Sequence, residues 1–377
     1  MAIAESSRPT PEQFLSLIRR QQRGRLKVYL GSAAGVGKTY AMLREGHRLK
    51  QQGVDVAIGF VETHGRAETA EQIGDLEVIP PRQIEYRGVT LREMDLDAIL
   101  ARRPTVCLVD ELAHTNAPGS RHAKRYQDVE DLLRAGIHVI TTVNIQHLES
   151  LYDEVERATG VKVKERLPDS VLAEADQIVN IDVSAEDLLE RLRAGKVYPP
   201  ERVERALAHF FTIGNLTRLR ELTLTEMAHL IDRRSRRAEA DRAPASATER
   251  VMVGLASRSP NAPALLRKAA RLADRLNAPW YAVYIQTPAE DLTKIDAATQ
   301  RVLSKNLELA QQLGGIPMTF KGPDVARTVA AFAQEYDIRV IVMGKTRQPW
   351  YSRLWRGSIL ERLLRATEGV DVMIVDV

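Results

Sequence analysis

The chain has 377 residues, of which 44% are hydrophobic and 28% are charged, a composition typical of globular proteins with ordinary buried cores. The 54 basic residues nearly balance the 50 acidic ones, and the net charge of +4 argues against a dedicated nucleic-acid-binding protein. A lone cysteine, Cys107, excludes an internal disulfide and a multi-cysteine metal site. Because no apolar run approaches the ~18 residues of a membrane span and the N-terminus lacks a signal-peptide core, we predict a soluble, cytoplasmic chain.

The N-terminal part of the chain contains a glycine-rich loop, in residues 25–39 with the sequence RLKVYLGSAAGVGKT. It follows a short apolar strand and precedes a helix predicted from Tyr40 to about Gln51. Backbone N–H groups of such a loop converge on one point, and the helix N-terminus adds positive potential there. Lys38 would reach the outer phosphates of a nucleotide, and the Thr39 hydroxyl would ligate Mg²⁺. The predicted nucleotide-binding residues of the loop are Ser32, Gly35, Val36, Gly37, Lys38 and Thr39.

One position departs from the usual G-x-x-x-x-G-K-[ST] spacing. Ser32 stands where the first glycine is expected, and Gly31 lies one residue too early. Serine is small enough for that turn, so we keep the prediction of phosphate binding. The alternative is a glycine-rich helix start with an incidental lysine.

Strand and helix patterns alternate after this loop, which predicts parallel pairing and an α/β fold with a doubly wound, P-loop-type sheet. The predicted strands are Val54–Glu62, Gln83–Val89, Thr105–Val109, Gly136–Val143 and Gln177–Val183. The predicted helices are Met94–Arg102, Gln127–Ala135, Leu148–Ala158, Ser184–Ala194, Pro200–Phe211 and Ile213–Arg233.

The chain divides into two predicted domains separated by a small, charged, proline-containing linker at residues 233–249. Residues 1–24 are a polar lead-in with one short helix, Pro11–Gln22, and residues 25–232 form the first domain. Residues 250–377 carry five further strands alternating with helices, which predicts a smaller doubly wound α/β domain.

An acidic pair, Asp110-Glu111, directly follows the apolar strand Thr105–Val109. This is where P-loop proteins hold the Mg²⁺ shell through water, and we assign Asp110 that role. Glu111 is the candidate catalytic residue, which would orient or deprotonate the attacking water if ATP is hydrolysed. The alternative is that either residue only caps a following turn.

Three polar segments are expected at the same sheet edge, where ligands of parallel sheets bind. They would sense a γ-phosphate or a second ligand, or they are ordinary exposed turns. The segments are residues 62–66, residues 114–116 and residues 144–147. Arg121, Lys124 and Arg125 would close over phosphate or, alternatively, form a solvated helix start.

Four segments together resemble one family: GSAAGVGKTYAML, VETHGR, VDELAHTN and TTVNIQHLESL. They are similar to the N-terminal cytoplasmic region of the KdpD family, osmosensitive potassium sensor histidine kinases, from about Arg8 onward. The resemblance implies a two-component sensor that works with a response regulator to control a potassium-uptake ATPase. It also implies a homodimer in the full-length protein, and a kinase core and membrane helices that lie outside this segment.

The second domain resembles the universal stress protein domain of the same family. The ATP-binding pattern of such domains departs here, because Arg347 replaces its second glycine and Ala256-Ser257 replaces the usual acidic residue. A different pattern is similar to a cyclic di-AMP signature, in which hydroxyls contact phosphate and an aromatic ring stacks on adenine. Its residues are Ser257, Ser259, Trp280 and Tyr284. The alternative is that these aromatic residues pack in the core.

Three functions remain open on sequence grounds. The first is a regulatory sensor module with ATP or ADP in the glycine loop and cyclic di-AMP in the second domain. The second is a stand-alone P-loop ATPase or small-molecule kinase. The third is a scaffold that binds a partner protein and keeps a structural nucleotide. We expect no nucleic-acid partner, and membrane association only through segments absent here.

Overall fold

A computed structural model describes residues 23–63, 66–240, 249–276, 278–288, 290, 295–344, 359–367 and 369–376. The chain forms two compact units. The first comprises Met1–His147, Val155–Leu167 and Glu174–Thr223, and the second comprises Leu148–Glu154, Pro168–Ala173 and Leu224–Val377. The predicted lead-in helix, Pro11–Gln22, lies outside the described residues.

The first unit contains a six-stranded, all-parallel sheet. Its strands, in spatial order, are β3 (Glu77–Val78), β2 (Val56–Phe60), β6 (Val106–Val109), β7 (His138–Asn144), β1 (Leu26–Gly31) and β8 (Gln177–Ile181). Strand β6 is buried along its whole length and β1 at every residue except Lys27, as expected for apolar runs covered on both faces. Cys107 lies in β6, and its thiol is completely buried.

Helices connect these strands and follow them toward residue 240. They are α1 (Lys38–Gln51), α2 (Ala67–Glu71), α3 (Leu96–Arg102), α4 (Arg125–Arg134), α5 (Tyr152–Thr159), α6 (Asp169–Ala173), α7 (Ala185–Arg193), α8 (Pro200–His209) and α9 (Ile213–Ala240). Helix α7 begins as its sequence predicts, because the Ser184 hydroxyl accepts a hydrogen bond from the Asp187 backbone N–H at 3.0 Å. Helix α9 continues into the stretch predicted as the linker, and the domain boundaries stay a prediction.

The predicted single strand Gln83–Val89 is wrong. The chain instead forms an antiparallel hairpin of β4 (Arg82–Tyr86) and β5 (Val89–Glu93). Its turn consists of Arg87 at φ 51° and Gly88 at φ 78°, the left-handed pair that a two-residue hairpin turn requires. An arginine in the first of these positions gives no turn signal in the sequence.

The second unit contains a five-stranded, all-parallel sheet, with helices that alternate with its strands. Its strands, in spatial order, are β11 (Ile316–Lys321), β10 (Trp280–Gln286), β9 (Val251–Leu255), β12 (Val340–Gly344) and β13 (Asp371–Val375). Its helices after residue 250 are α10 (Ala262–Leu276), α11 (Ala297–Gln312), α12 (Val325–Glu335) and α13 (Ile359–Ala366). These elements confirm the predicted α/β fold class. No helix in the described ranges is both long and apolar enough to cross a membrane.

Candidate functional site

The glycine-rich loop between β1 and α1 has the backbone of an anion-binding loop. Gly35 at φ 87° and Gly37 at φ 103° adopt left-handed conformations that other residues rarely tolerate. Helix α1 begins at Lys38, and no described side chain caps its N-terminus. Ser32 and Val36 are buried inside the loop. The free N–H groups and the helix dipole therefore converge at one point.

Side chains from the start of α1, the end of β6 and strand β7 meet beside this loop. The Thr39 hydroxyl, at the start of α1, donates to Asp110 at the end of β6, with 3.0 Å between Oγ1 and Oδ2. The Thr142 hydroxyl of β7 donates to the other carboxylate oxygen of Asp110. The Lys38 ammonium group donates to the Ala33 carbonyl oxygen at 3.0 Å. The structure thus brings together the residues predicted to hold a phosphate and its metal ion.

Burial changes the proton affinity of both charged groups. Lys38 is 8% exposed, and desolvation lowers the pKa of its ammonium group to about 8, although the charge of Asp110 opposes this shift. Asp110 is 2% exposed, and burial raises the pKa of its carboxyl group against the hydrogen bond from Thr142. Both charged groups are therefore poorly solvated in this state. An anionic ligand group would stabilise the Lys38 ammonium, and a cation would stabilise the Asp110 carboxylate.

The site opens into a cavity of about 520 Å³ within the first unit. That volume lies in the range of small-molecule and cofactor sites. Asn144 and Gln146, from the end of β7, line it, and a buried side-chain oxygen of each has no hydrogen-bond partner among the described atoms. His147 also lines it, and burial lowers the pKa of its imidazole. In the predicted segment 62–66, residues 64 and 65 lie outside the described residues, whereas Arg66 lines the cavity.

Arg125 has a role that the sequence analysis missed. It is neither a solvated helix start nor a group near phosphate, because its side chain is completely buried against the Phe60 ring, with 4.0 Å from its guanidinium carbon to the ring centre. Its guanidinium donates to the Asp110 carbonyl oxygen and to the Glu93 carboxylate, both at 3.2 Å. It also lies 3.9 Å from the Glu111 carboxylate. This buried cation therefore fixes the backbone at Asp110 and lies close to the Glu111 carboxylate.

Glu111 sits in an unusual backbone conformation, with φ 56°. Its backbone N–H donates to the Thr142 hydroxyl at 3.2 Å, and its side chain lines the cavity. A residue other than glycine pays conformational free energy for this left-handed geometry, and such residues cluster at functional sites. The geometry is compatible with the predicted catalytic role of Glu111, which stays a prediction.

His114 is fixed between two carboxylates at the cavity wall. One ring nitrogen lies 3.1 Å from Glu93, and the other lies 3.4 Å from Glu165. Desolvation would lower the pKa of the imidazole, but the hydrogen bonds to Glu165 and Glu93 outweigh it and raise the pKa to about 9. His114 is therefore a cation at neutral pH, and its contacts tie the loop after β6 to the end of β5.

In the second unit, the structure gathers only some of the predicted second-messenger residues. The Ser257 hydroxyl donates to the Glu290 carboxylate, whose other oxygen lies 3.4 Å from the Tyr284 hydroxyl. Ser259 follows in the same turn after β9. Trp280 lies at the opposite end of β10, four residues before Tyr284, and it is 5% exposed and packed in the core.

Two predicted features remain, the glycine pattern of the second unit and the metal ion. The glycine pattern from Gly344 to Ser358 falls largely on residues 345–358, which lie outside the described residues. Within the described part of the chain, no group of three or more His, Cys, Asp or Glu side chains is arranged to hold a metal ion. A metal ion at Thr39 and Asp110 would therefore depend on ligands from a bound nucleotide, as Mg²⁺ commonly does.

Two stretches of the chain match known families. Residues 22–231 match the family described as KdpD, osmosensitive K⁺ channel His kinase sensor domain, and residues 247–376 match the universal stress protein family. A crystal structure of a universal stress protein in complex with cAMP is also similar to part of the chain. It shares 21% identity at a TM-score of 0.28, covering 35% of this chain and 98% of that protein.

Curated relatives extend the match over most of the chain. Sensor protein KdpD of Escherichia coli (strain K12) is 44% identical over 374 residues, which cover 98% of this chain and 41% of that protein. The putative sensor protein KdpD of Synechocystis sp. is 44% identical over 354 residues, which cover 94% of each chain. This chain thus spans about two fifths of the first relative and nearly all of the second. Because the family match includes more than half of its residues, the chain belongs to the KdpD family of osmosensitive sensor domains.

Proposed function

We propose that the cavity in the first unit binds ATP or ADP together with Mg²⁺. The observation that carries this proposal is the loop itself, where left-handed Gly35 and Gly37 precede an uncapped helix that begins with Lys38. Such an arrangement stabilises phosphate oxygens through backbone N–H groups, the helix dipole and one ammonium group. In this state Lys38 donates to a backbone carbonyl, and bound phosphate oxygens would be stronger acceptors for it.

The oxygen atoms of Thr39 and Asp110 would hold Mg²⁺, directly and through water respectively. These donors suit a hard cation, and they already lie in hydrogen-bonding contact. When bound, Mg²⁺ neutralises charge on the phosphate oxygens. The residues of the chain position the ligand: Thr142 orients the Asp110 carboxylate, and Arg125 fixes its backbone. Glu111 stands where it would orient a water molecule.

The wider role that we propose is sensory rather than metabolic. As part of a sensor histidine kinase, this region would bias a downstream kinase core that acts with a response regulator on potassium uptake. It would lie in the cytoplasm, and the full-length protein would act as a homodimer. Membership of the KdpD family supports this role. A stand-alone P-loop ATPase or small-molecule kinase is the competing function, and multiple-turnover phosphoryl transfer to a small molecule would contradict the sensory role.

Cyclic di-AMP binding in the second unit stays a prediction. Ser257, Ser259 and Tyr284 come together at one sheet edge, but the Glu290 carboxylate already occupies the hydroxyl groups of Ser257 and Tyr284. Since Trp280 packs in the core, it is not available to stack on adenine. Binding would require another aromatic or apolar surface for the base.

Isothermal titration calorimetry of the full chain tests the nucleotide proposal. With Mg²⁺ present, we expect ATP and ADP to bind, and Lys38→Ala to weaken both by about a hundredfold, since it removes a charge-assisted contact. Lys50→Ala is the matched control, because Lys50 lies at the far end of the same helix and pairs with Asp75 on the surface.

Two outcomes would contradict the proposal: no binding of either nucleotide, or equal affinities for the wild type and Lys38→Ala. Titration with cyclic di-AMP, with Ser259→Ala as the comparison, tests the second unit in the same series.

A further inference from the structure

Two arginines outside the glycine-rich loop also line the cavity. Arg66 precedes α2, and Arg202 lies in the first turn of α8. Among the described residues, neither guanidinium group forms an ion pair with a carboxylate, and the hydrogen bond found for Arg66 runs from its Nε to the Thr63 carbonyl oxygen at 3.0 Å. Two guanidinium groups without an ion pair among the described residues therefore line the cavity that also contains the Lys38 ammonium group and the carboxylates of Asp110, Glu111 and Glu165.

The wall that carries Arg202 is fitted directly onto the loop. A Cβ atom on Gly35 would lie only 2.5 Å from a methyl group of Val197, so the loop and the wall are in close contact. Arg191 of α7 reaches the carbonyl oxygens of Gly35 and Val36, at 3.4 and 3.5 Å. The Tyr198 ring packs edge-on against Phe211, with 5.7 Å between the ring centres. The segment that leads to Arg202 is thus packed against the loop.

The start of α8 adds partial positive charge near Arg202, although Glu201 stands in the same turn. Arg202 is the third residue of α8, whose N-terminus borders the cavity and has no side-chain cap. A cation there is unfavourable for an isolated helix, because the helix dipole is also positive at this end. Arg66 and Arg202 both act on the half-buried Tyr198 phenol, whose pKa desolvation raises and the two arginines lower. Arg66 also acts on Lys38, which indicates that these cations surround one volume.

We propose that Arg66 and Arg202 bind the terminal phosphate of a nucleoside triphosphate and thereby make the site selective for triphosphate over diphosphate. This inference rests on the proposed nucleotide function of the same cavity. The loop and Lys38 account for the inner phosphates, which both nucleotides possess. A third phosphate adds negative charge beyond the loop, and the two guanidinium groups that line the same cavity are its complement.

The selectivity gives this region a chemical input. A site that distinguishes ATP from ADP reports the ratio of the two, whereas a site that grips only the inner phosphates does not. The wall formed by Val197–Arg202 would respond, since it carries one of the two arginines and touches the loop.

Calorimetry on the full chain with two probes, the magnesium complexes of ADP and of a non-hydrolysable β,γ-imido analogue of ATP, tests the inference. We expect Arg202→Ala and Arg66→Ala each to weaken the triphosphate analogue by about tenfold or more, and ADP by less than about threefold. The matched control is Arg205→Ala, which removes an exposed arginine from the same helix without touching the cavity. Arg202→Lys should restore part of the lost affinity, because it keeps the charge but not the planar fork.

Equal losses for both nucleotides, or no loss in either variant, would overturn the selectivity while leaving the nucleotide function intact. Failure of the nucleotide function itself gives a different result, since the wild type would then bind neither probe. Thermal unfolding of each variant, with a melting temperature close to that of the wild type, separates lost contacts from lost folding.

Discussion

The two units use the same kind of parallel sheet, but they finish the carboxyl ends of their strands in different ways. In the first unit, Lys38 at the start of α1 and Asp110 and Glu111 after β6 line an open cavity. In the second unit, Ser257, Glu290 and Tyr284 form hydrogen bonds with one another. A ligand would add partners for the charged groups at the first edge. At the second edge the polar side chains already form hydrogen bonds with one another.

The contrast shows that a parallel sheet does not by itself determine whether its edge can bind a ligand. Both sheets have continuous apolar strands, yet the loop after β1 bends through two left-handed glycines while β9 ends in an ordinary turn. Function therefore lies in loops and strand-end side chains that the common scaffold positions. Substitutions in each unit test this difference between the two sheet edges.

Replacing the buried Arg125 should cause the largest loss in the free energy of unfolding. Arg125→Met leaves the Glu93 carboxylate without its buried cation, and we expect a loss of about 3–5 kcal/mol in the free energy of unfolding. Chemical denaturation, with hydrogen exchange of the β6 amides, measures it. The control is Arg134→Met on the same helix, whose side chain is 65% exposed and whose loss should cost under about 1 kcal/mol. Similar losses in the two variants would contradict this role for Arg125.

The contribution of His114 to the stability of the first unit should disappear at alkaline pH, where the lowered pKa of Lys38 acts in the opposite direction. The pKa of His114 rises from 6.5 to about 9 on folding, so the protonated imidazole stabilises the folded state fully below pH 6.5. That contribution disappears as the pH rises through 9, and it amounts to at most about 3 kcal/mol for a side chain that is 26% exposed. Denaturation between pH 6 and pH 9.5 measures it. His114→Gln should flatten the curve in this window, and an unchanged slope would exclude His114 as its source.

A pair of glycine substitutions compares the two edges directly. Gly35→Ala introduces a Cβ into a left-handed residue that packs on Val197, and we expect a cost of about 1–2 kcal/mol together with weaker nucleotide binding. Gly254→Ala in β9 is the matched change, because its new Cβ would meet only the Met343 side chain, at an ordinary 3.8 Å. Its effect should stay below about 0.5 kcal/mol. Thermal unfolding and calorimetry of the two variants side by side decide the comparison, which fails if Gly254→Ala costs as much.

The parts of the site that follow from local sequence were predictable. The loop at Gly35 and Gly37, the positions of Thr39 and Asp110 beside it, and the alternation of strands and helices each depend on a few neighbouring residues. Parallel strands then place Asp110 next to the loop without further information, because their carboxyl ends share one edge.

What the sequence did not reveal depends on tertiary packing. Arg125 sits in a basic, polar stretch that resembles a solvated helix start, and its burial becomes visible only with Glu93 and Phe60 around it. The wall with Arg202 is distant in sequence from the loop that it touches. Trp280 matched a ligand-binding pattern in the order of its residues, but four residues of extended strand separate it from Tyr284, a distance of roughly 13 Å.

The reaction rate of the Cys107 thiol in β6 can report how often the first sheet opens. Burial raises the pKa of its thiol to about 12, so the folded protein presents almost no thiolate to an alkylating or disulfide reagent at neutral pH. Modification must wait for an opening that exposes the centre of the sheet. Since the sequence has no other cysteine, the labelling rate reports those openings in the strand that leads directly to Asp110, without any engineered probe. A ligand that stabilises the strand ends would slow that rate in proportion to its occupancy.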